Sequence, residues 1–319
     1  MPKILSIQSH VVHGYVGNKA VTFPLQYKGW DVDCLNTVQF SNHPAYGSFQ
    51  GFKYDPENLY EIMARGLLDF LQIDYDCILI GYFPSVDGLN KISDLLASRQ
   101  TGASNSSENP QPPLPKIVVD PVLGDNGQLY VAPEMVQVYR SFLQKVDIFC
   151  CTPNQFELET LTGIKIDSLN NLRKAMFKFH ELYPLVKKLV VTSCVNIVAE
   201  DPSTIINASY DFSANELYYI ESPLLDCSFS GCGDLYTALL TNELLTTKKT
   251  LKDAMNYVVS TIYHMLHLTK KLHLEDLESE NIQPVYRNHR MVINDLKLIE
   301  SRVFLDNNFQ PDKLFDLLT

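Results

Sequence analysis

The sequence predicts an α/β fold, with one central, mostly parallel sheet flanked by helices on both faces. Two observations predict it. Short β-rich runs bounded by turn residues recur along the chain, and helical patterns fall between them, the alternation that crossover-connected parallel strands produce. Hydrophobic residues make up 45% of the 319 positions and charged residues 20%, enough apolar surface for one sizeable core. Composition offers no cut into halves, so a single domain spanning 1–319 is expected.

The elements follow in order. Met1-Pro2-Lys3-Ile4-Leu5-Ser6-Ile7 is too short an apolar run for a signal peptide and reads as a first strand, Ile4 to Ile7. Further strands are expected at Val32 to Asn36, Cys77 to Gly81, Lys116 to Asp120, Val146 to Thr152 and Lys188 to Ser193. Helical patterns cover Phe156 to Leu161, ended by Gly163, then Leu169 to Leu182, Leu235 to Leu245 and Met255 to Leu268. Residues 101–113 are polar and Pro-rich and have almost nothing to bury, so they read as a flexible surface insertion between a helix and a strand. The acidic stretch Glu275 to Asn281 reads as a solvated loop.

Charge and cysteine usage exclude several function classes. With 37 acidic and 26 basic residues the net charge is -11, which disfavours nucleic acid and anionic membranes as partners. No run approaches the roughly 18 apolar residues of a membrane span. Seven scattered cysteines, mostly inside apolar runs, suit reduced, buried thiols in a cytoplasmic setting, with nuclear residence left open.

In such sheets ligands bind beyond the carboxyl ends of the strands, which directs attention to the residues after each strand. The strongest local signal is Phe229-Ser230-Gly231-Cys232-Gly233-Asp234 ahead of a helical run. Glycines allow close backbone approach, and a helix start directs free N–H groups and partial positive charge at an anion such as a phosphoryl group. Taken alone, Asp234 is equally well a favourable first-turn carboxylate. A second cluster shifts that balance. Asp120-Pro121-Val122-Leu123-Gly124-Asp125 and Thr152-Pro153-Asn154-Gln155-Phe156-Glu157 follow two strands and offer hard oxygen ligands for Mg²⁺ on triphosphate oxygens. Singly, Asp120, Asn154 and Glu157 are better explained as turn or cap residues. Ser9 to Lys19 after the first strand has no Walker-type spacing and suits an uncharged or aromatic substrate. His10 with His13, and His264 with His267, lack a third ligand at a recognisable spacing, so satisfied histidines are the default.

Four separated stretches resemble the pyridoxal kinase family, of its fungal type and the ribokinase-like fold. They are Ile7 to Ala20, Thr22-Phe23-Pro24-Leu25-Gln26, Val38-Gln39-Phe40-Ser41-Asn42-His43, and the later stretches just described; Asn294 to Ile299 matches the closing segment. The resemblance implies ATP-dependent phosphorylation of the 5′-hydroxymethyl group of pyridoxal, pyridoxine or pyridoxamine, the salvage reaction of vitamin B6. It implies Asp234 as base, with the turn Gly231, Cys232 and Gly233 receiving the transferred phosphoryl group. Ser9, Val16, His43, Pro44 and Tyr82 would line the substrate pocket. Asp120, Asp125, Tyr130, Asn154, Glu157, Thr192 and Ser193, with Gly231 and Gly233, would serve ATP, and Asp120 and Glu157 would organise Mg²⁺ or another divalent ion such as Zn²⁺. A monovalent cation, K⁺, and a homodimer are also implied.

Two positions depart from the family. Pro44 stands where threonine is usual, removing a hydroxyl whose hydrogen bond would be worth about 0.5–1.5 kcal/mol. Cys232 replaces threonine in the phosphate turn, which suggests sensitivity to oxidation. A hydroxymethylpyrimidine-type kinase and a B6-binding regulatory protein with weak catalysis are the competing readings.

Overall fold

Successive side chains of the inner strands point into two separate apolar layers, and this alternation organises the molecule. The computed structural model describes residues 1–105, 114–197, 203–287, 289–309 and 317–318. In chain order the first half contains β1 (Lys3–Val11), α1 (Asn18–Tyr27), β2 (Asp31–Phe40), β3 (Gly51–Lys53), α2 (Pro56–Tyr60), β4 (Cys77–Ile80), α3 (Val86–Asn105) and β5 (Lys116–Val119). Next come β6 (Gly124–Asp125), β7 (Gln128–Leu129), α4 (Glu134–Lys145), β8 (Cys150–Cys151), α5 (Gln155–Thr162), α6 (Leu169–Leu182) and β9 (Lys188–Val195). The chain continues through β10 (Thr204–Asp211), β11 (Glu216–Pro223), β12 (Cys227–Phe229), α7 (Cys232–Leu245), α8 (Leu251–Glu280), β13 (Tyr286–Arg287), β14 (Arg290–Ile293) and β15 (Leu317–Leu318).

The main sheet runs β15-β11-β10-β9-β8-β5-β4-β1-β2-β3. Its centre, from β9 through β2, is parallel. Both edges are antiparallel. On the parallel strands Leu5, Ile7, Ile78, Ile80, Ile117, Val119, Leu189 and Val191 face one layer, packed on helices α3 to α6. Ile4, Cys77, Leu79, Val118 and Val190 face the other, against α1, α7 and α8. Two-sided burial is why these strands read as continuous apolar runs. Helix α7 is buried along nearly its whole length, from Leu235 to Leu244. Its far end is pinned by a buried polar knot in which Trp30 Nε1 donates to Asn242 Oδ1 at 3.0 Å and Lys249 Nζ pairs with Glu243 at 2.6 Å.

The strand order reverses between β1 and β4, with β2 on one side and β5, β8 and β9 on the other. A reversal of this kind opens a crevice at the carboxyl ends of the strands, the place where such sheets bind ligands.

The expected strands and helices all fall on observed elements, with three differences. Residues 101–105 are helical rather than part of a loose insertion: they end α3, and Thr101 Oγ1 donates back to the Ala97 carbonyl at 2.9 Å. The rest of that insertion, 106–113, lies outside the described residues. Glu275 to Glu280 are not a loop but the last turns of α8, supported by the ion pair of Asp276 with Lys297 at 2.6 Å. Between Val146 and Thr152 only Cys150–Cys151 forms a continuous ladder strand, although Ile148 makes an isolated bridge to Val186. No helix of the described residues is long and apolar enough to cross a membrane.

Candidate active site

Strand β12 leads into Ser230 and Gly231, and α7 begins at Cys232. Gly231 has φ 83°, and a Cβ built on it would meet the Tyr15 carbonyl oxygen at 2.0 Å, so the turn and the loop after β1 touch backbone to backbone. The first-turn N–H groups of α7 lack intrahelical acceptors and carry the positive end of the helix dipole. Asp234 sits in that first turn, half-buried, and its Oδ2 accepts the Gly17 N–H at 2.8 Å. Gly17 itself has φ 53°, and a Cβ there would lie 2.2 Å from the Ser9 carbonyl oxygen. One carboxylate therefore joins the loop after β1 to the anion turn.

Loss of water around Asp234 pushes its carboxyl up to about 6, against the opposing pull of the Gly17 hydrogen bond. A base with that pKa is ionised at neutral pH yet close enough to it to accept a proton. Because the ionised form is the active one, kcat/KM should rise with pH through a single acidic limb near 6 and flatten above about 7. A pH profile from 5 to 8 without such a limb would rule out this base.

Asp120, immediately after β5, is buried, and Gly233 approaches its Oδ2, with 3.6 Å between that oxygen and a Cβ built there. Desolvation first, then the charges of Glu157 and Asp234, hold its carboxyl well above the usual range. Glu157 is pushed up to about 8 by desolvation, opposed by three backbone hydrogen bonds. Those bonds define its local role: Oε1 accepts from Leu123 N–H at 2.9 Å and Gly124 N–H at 3.4 Å, while Oε2 accepts from Asn154 N–H at 2.8 Å. Asn154 returns the favour as N-cap of α5, and its Nδ2 donates to the Gly124 carbonyl at 2.8 Å. Both side chains thus hold the β5–β6 turn. Thr152 and Thr237 share a 2.9 Å hydroxyl contact beneath them.

Asp125 and Tyr130 lie on and beside the exposed β6–β7 hairpin. Although both are solvent-exposed, partial desolvation by the neighbouring chain raises each, with Asp125 drawn back by its hydrogen bond to Asn126 N–H and by the charge of Arg290. Thr192 bridges to Asn154 across β8 and β9, and the exposed Ser193 beside it has φ 60°. All the residues expected on the nucleotide side therefore stand at one end of the sheet.

On the other side of Asp234, Val11, Val38 and Phe40 form a small apolar cluster with Val16 and Tyr82 packed on it. Ser9 borders it through its close contact with Gly17. His43 is buried, and its Nε2 donates to the Asn294 carbonyl at 2.8 Å, because a carbonyl can only accept. Pro44 is exposed and opens the short 3₁₀ turn Pro44–Tyr46, where its fixed φ fits. Phe40, Tyr46 and Asp295 were not singled out from sequence. The period of two along β2 places Phe40 beside Val38 and could have found it. Cys232 is half-buried in the first turn of α7, where burial pushes its thiol up to about 12 and Asp234 adds to the shift.

His264 stacks on Phe304 with ring centroids 5.6 Å apart, and His267 packs edge-on against Tyr263. Among the described residues no three His, Cys, Asp or Glu side chains gather to hold a metal ion.

The sequence profile described as "Phosphomethylpyrimidine kinase" matches residues 95–275. A Saccharomyces cerevisiae protein named as a candidate pyridoxal kinase is 43% identical over 314 residues, covering 97% of this chain and 94% of its own. The pyridoxal kinase of Dictyostelium discoideum is 33% identical, covering 98% of this chain and 99% of its own. The chain belongs to the pyridoxal kinase family. Its fold agrees: the Leishmania donovani pyridoxal kinase, solved in complex with ADP and pyridoxamine, superposes with a TM-score of 0.79 at 27% identity over 99% of both chains. Asp234 is thus joined through Gly17 to the loop whose Val16 packs on the apolar cluster, and on its other flank it acts by charge on the buried Asp120.

Proposed function

We propose that this chain transfers the γ-phosphoryl group of ATP to the 5′-hydroxymethyl group of pyridoxal, pyridoxine or pyridoxamine. The observation that carries the reading is the place of Asp234, at the start of α7 between the apolar cluster of Val11, Val38 and Phe40 and the Asp120–Glu157 cluster. A pyridine ring suits the apolar walls and Tyr82, leaving the alcohol to reach the carboxylate. Asp234 takes the hydroxyl proton as the oxygen forms its bond to the γ-phosphorus. The bond from that phosphorus to the bridging oxygen breaks, and ADP leaves. The N–H groups of Cys232 and Gly233 receive the charge on the transferred group.

One protein carboxylate beside the anion turn suits a divalent cation whose other ligands would be phosphate oxygens and water. Asp120 and Glu157 are pushed up by burial, with the neighbouring carboxylates adding to the shift, so an ionised cluster carries negative potential that Mg²⁺ would relieve. Asp120, held by a side-chain hydrogen bond from Thr237 and lying next to Gly233, would offer its carboxylate to the ion. Glu157, already accepting three backbone N–H bonds, acts through the shape of the β5–β6 turn. Bound Mg²⁺ would neutralise the phosphate oxygens. A K⁺ requirement and a homodimer remain part of the proposal from the family resemblance.

The matching profile favours one alternative, a kinase of hydroxymethylpyrimidine. Assays of purified protein with ATP, Mg²⁺ and K⁺ against each alcohol separate the two. We expect kcat/KM for a B6 vitamer to exceed that for the pyrimidine by about tenfold or more, a difference of roughly 1.4 kcal/mol that ring contacts readily supply. The reverse ratio would select the pyrimidine, and pyridoxal binding without ATP consumption would select a regulatory protein.

A further inference from the structure

The loop of residues 41–50, which follows Phe40, is fastened to the closing segment at two points. His43 Nε2 donates to the Asn294 carbonyl at 2.8 Å, and the Tyr46 hydroxyl donates to Asp295 Oδ2. The Tyr46 ring also packs edge-on against His43, with centroids 4.9 Å apart. His13, largely exposed, brings Nε2 to 3.6 Å from the same Asp295 oxygen. The other oxygen, Oδ1, is buried with no hydrogen-bond partner among the described residues and lies over Gly14, where a Cβ would approach it to 2.3 Å. One carboxylate thus touches both loops that border the alcohol pocket.

Asp295 is also tied to the phosphoryl side. It is the second residue after β14, and β14 pairs in parallel with β12, matching Phe229 to Ile293 just before the anion turn. Ser230 N–H donates to the Ile293 carbonyl at 3.4 Å, and Leu296 Cδ1 lies 3.6 Å from the Cβ position of Gly231. Pro44 brings the loop neither a hydroxyl nor an N–H; His43 and Tyr46 on either side tie it to the closing segment, while the Ser41 carbonyl accepts from His13 N–H at 2.8 Å and Phe49 packs on Phe40.

We infer that Asp295 is a positioning residue: through the Tyr46 hydroxyl it holds the 41–50 loop over the alcohol pocket and couples that loop to the strand feeding the phosphoryl-binding turn. The inference rests on the reading of the pocket given above. Tyr46→Phe removes one hydroxyl and keeps the ring, so it tests the latch without threatening the fold. Asp295→Ala removes the acceptor, and Asp295→Asn restores a neutral one.

Tyr46→Phe and Asp295→Ala should each raise KM and Kd for pyridoxal by about 5- to 30-fold while leaving KM for ATP within about twofold. The double variant should be no worse than the worse single, because both changes remove one bond. Asp295→Asn should recover most of the loss. In native-state hydrogen exchange the Ser41 and Gln50 amides, which now bond to the Gln50 carbonyl at 2.7 Å and the Ser41 hydroxyl at 3.0 Å, should exchange faster in both single variants. Effects that multiply in the double variant, or unchanged exchange across 41–50 in Tyr46→Phe, would overturn the latch. If the wild-type protein does not bind or turn over pyridoxal, the functional reading fails, and the exchange comparison still decides the latch.

Discussion

Asp234→Asn should lower kcat by about 10²- to 10⁴-fold while leaving pyridoxal affinity within about threefold of wild type. Asparagine keeps an oxygen where Gly17 N–H now donates at 2.8 Å, so the link between the two loops survives. What disappears is a group able to take a proton at neutral pH. Single-turnover measurement of pyridoxal 5′-phosphate formation, with pyridoxal binding by titration calorimetry alongside, separates the chemical step from binding. Turnover within about fivefold of wild type would remove Asp234 from the role of base, since a positioned base contributes more than that.

Gly231→Ala should be nearly as damaging by a different route. A side chain at φ 83° costs about 1–2 kcal/mol from left-handed backbone sterics alone. Its Cβ would also stand 2.0 Å from the Tyr15 carbonyl oxygen, a contact only backbone movement can relieve. That movement displaces the loop carrying Gly17 from Asp234 and tilts the first-turn N–H groups of α7. We expect turnover to fall by about a hundredfold or more, since a small misplacement at the chemistry has that effect. Gly163→Ala provides the control, with a similar φ of 75° at the end of α5 and no atom within 4 Å of its Cβ position. It should lower thermal stability modestly and leave turnover near wild type. Equal activities for the two alanine variants would show that the Tyr15 contact is not what holds the site.

Much of this was legible in the sequence because the informative residues are local. The parallel strands announce themselves through two-sided burial, as in Cys77 to Ile80, and Gly231 to Asp234 combines its turn and its helix start within four residues. The antiparallel strands β10 and β11 were not recognised. In β10, Asn207 and Ser209 are buried beside Ile206 and Ala208, which blurs both an apolar run and a clean alternation. The acidic end of α8 looked like a loop because its stability comes from pairing with Lys297, on the far side of the next hairpin. The cap roles of Asn154 and Glu157 were anticipated singly, but the grip of Glu157 on Leu123 and Gly124 was not, since it depends on β5 and β8 standing side by side. Least visible was Tyr46 with Asp295, separated by 249 positions and joined only once the sheet is folded.

Helix α7 is buried from Leu235 to Leu244 and anchored at its far end through Asn242 and Glu243, so the carboxylate at its start is carried on an element packed along nearly its whole length. The surfaces around it are of the opposite kind: the β6–β7 hairpin and the 41–50 loop are exposed and held by a few polar contacts. Asp234 therefore stands on a fixed support, while the segments that flank it rest on contacts that single substitutions can remove. On the proposed reading, substitutions in those flanking segments should alter which alcohol is accepted while leaving the place of Asp234 undisturbed.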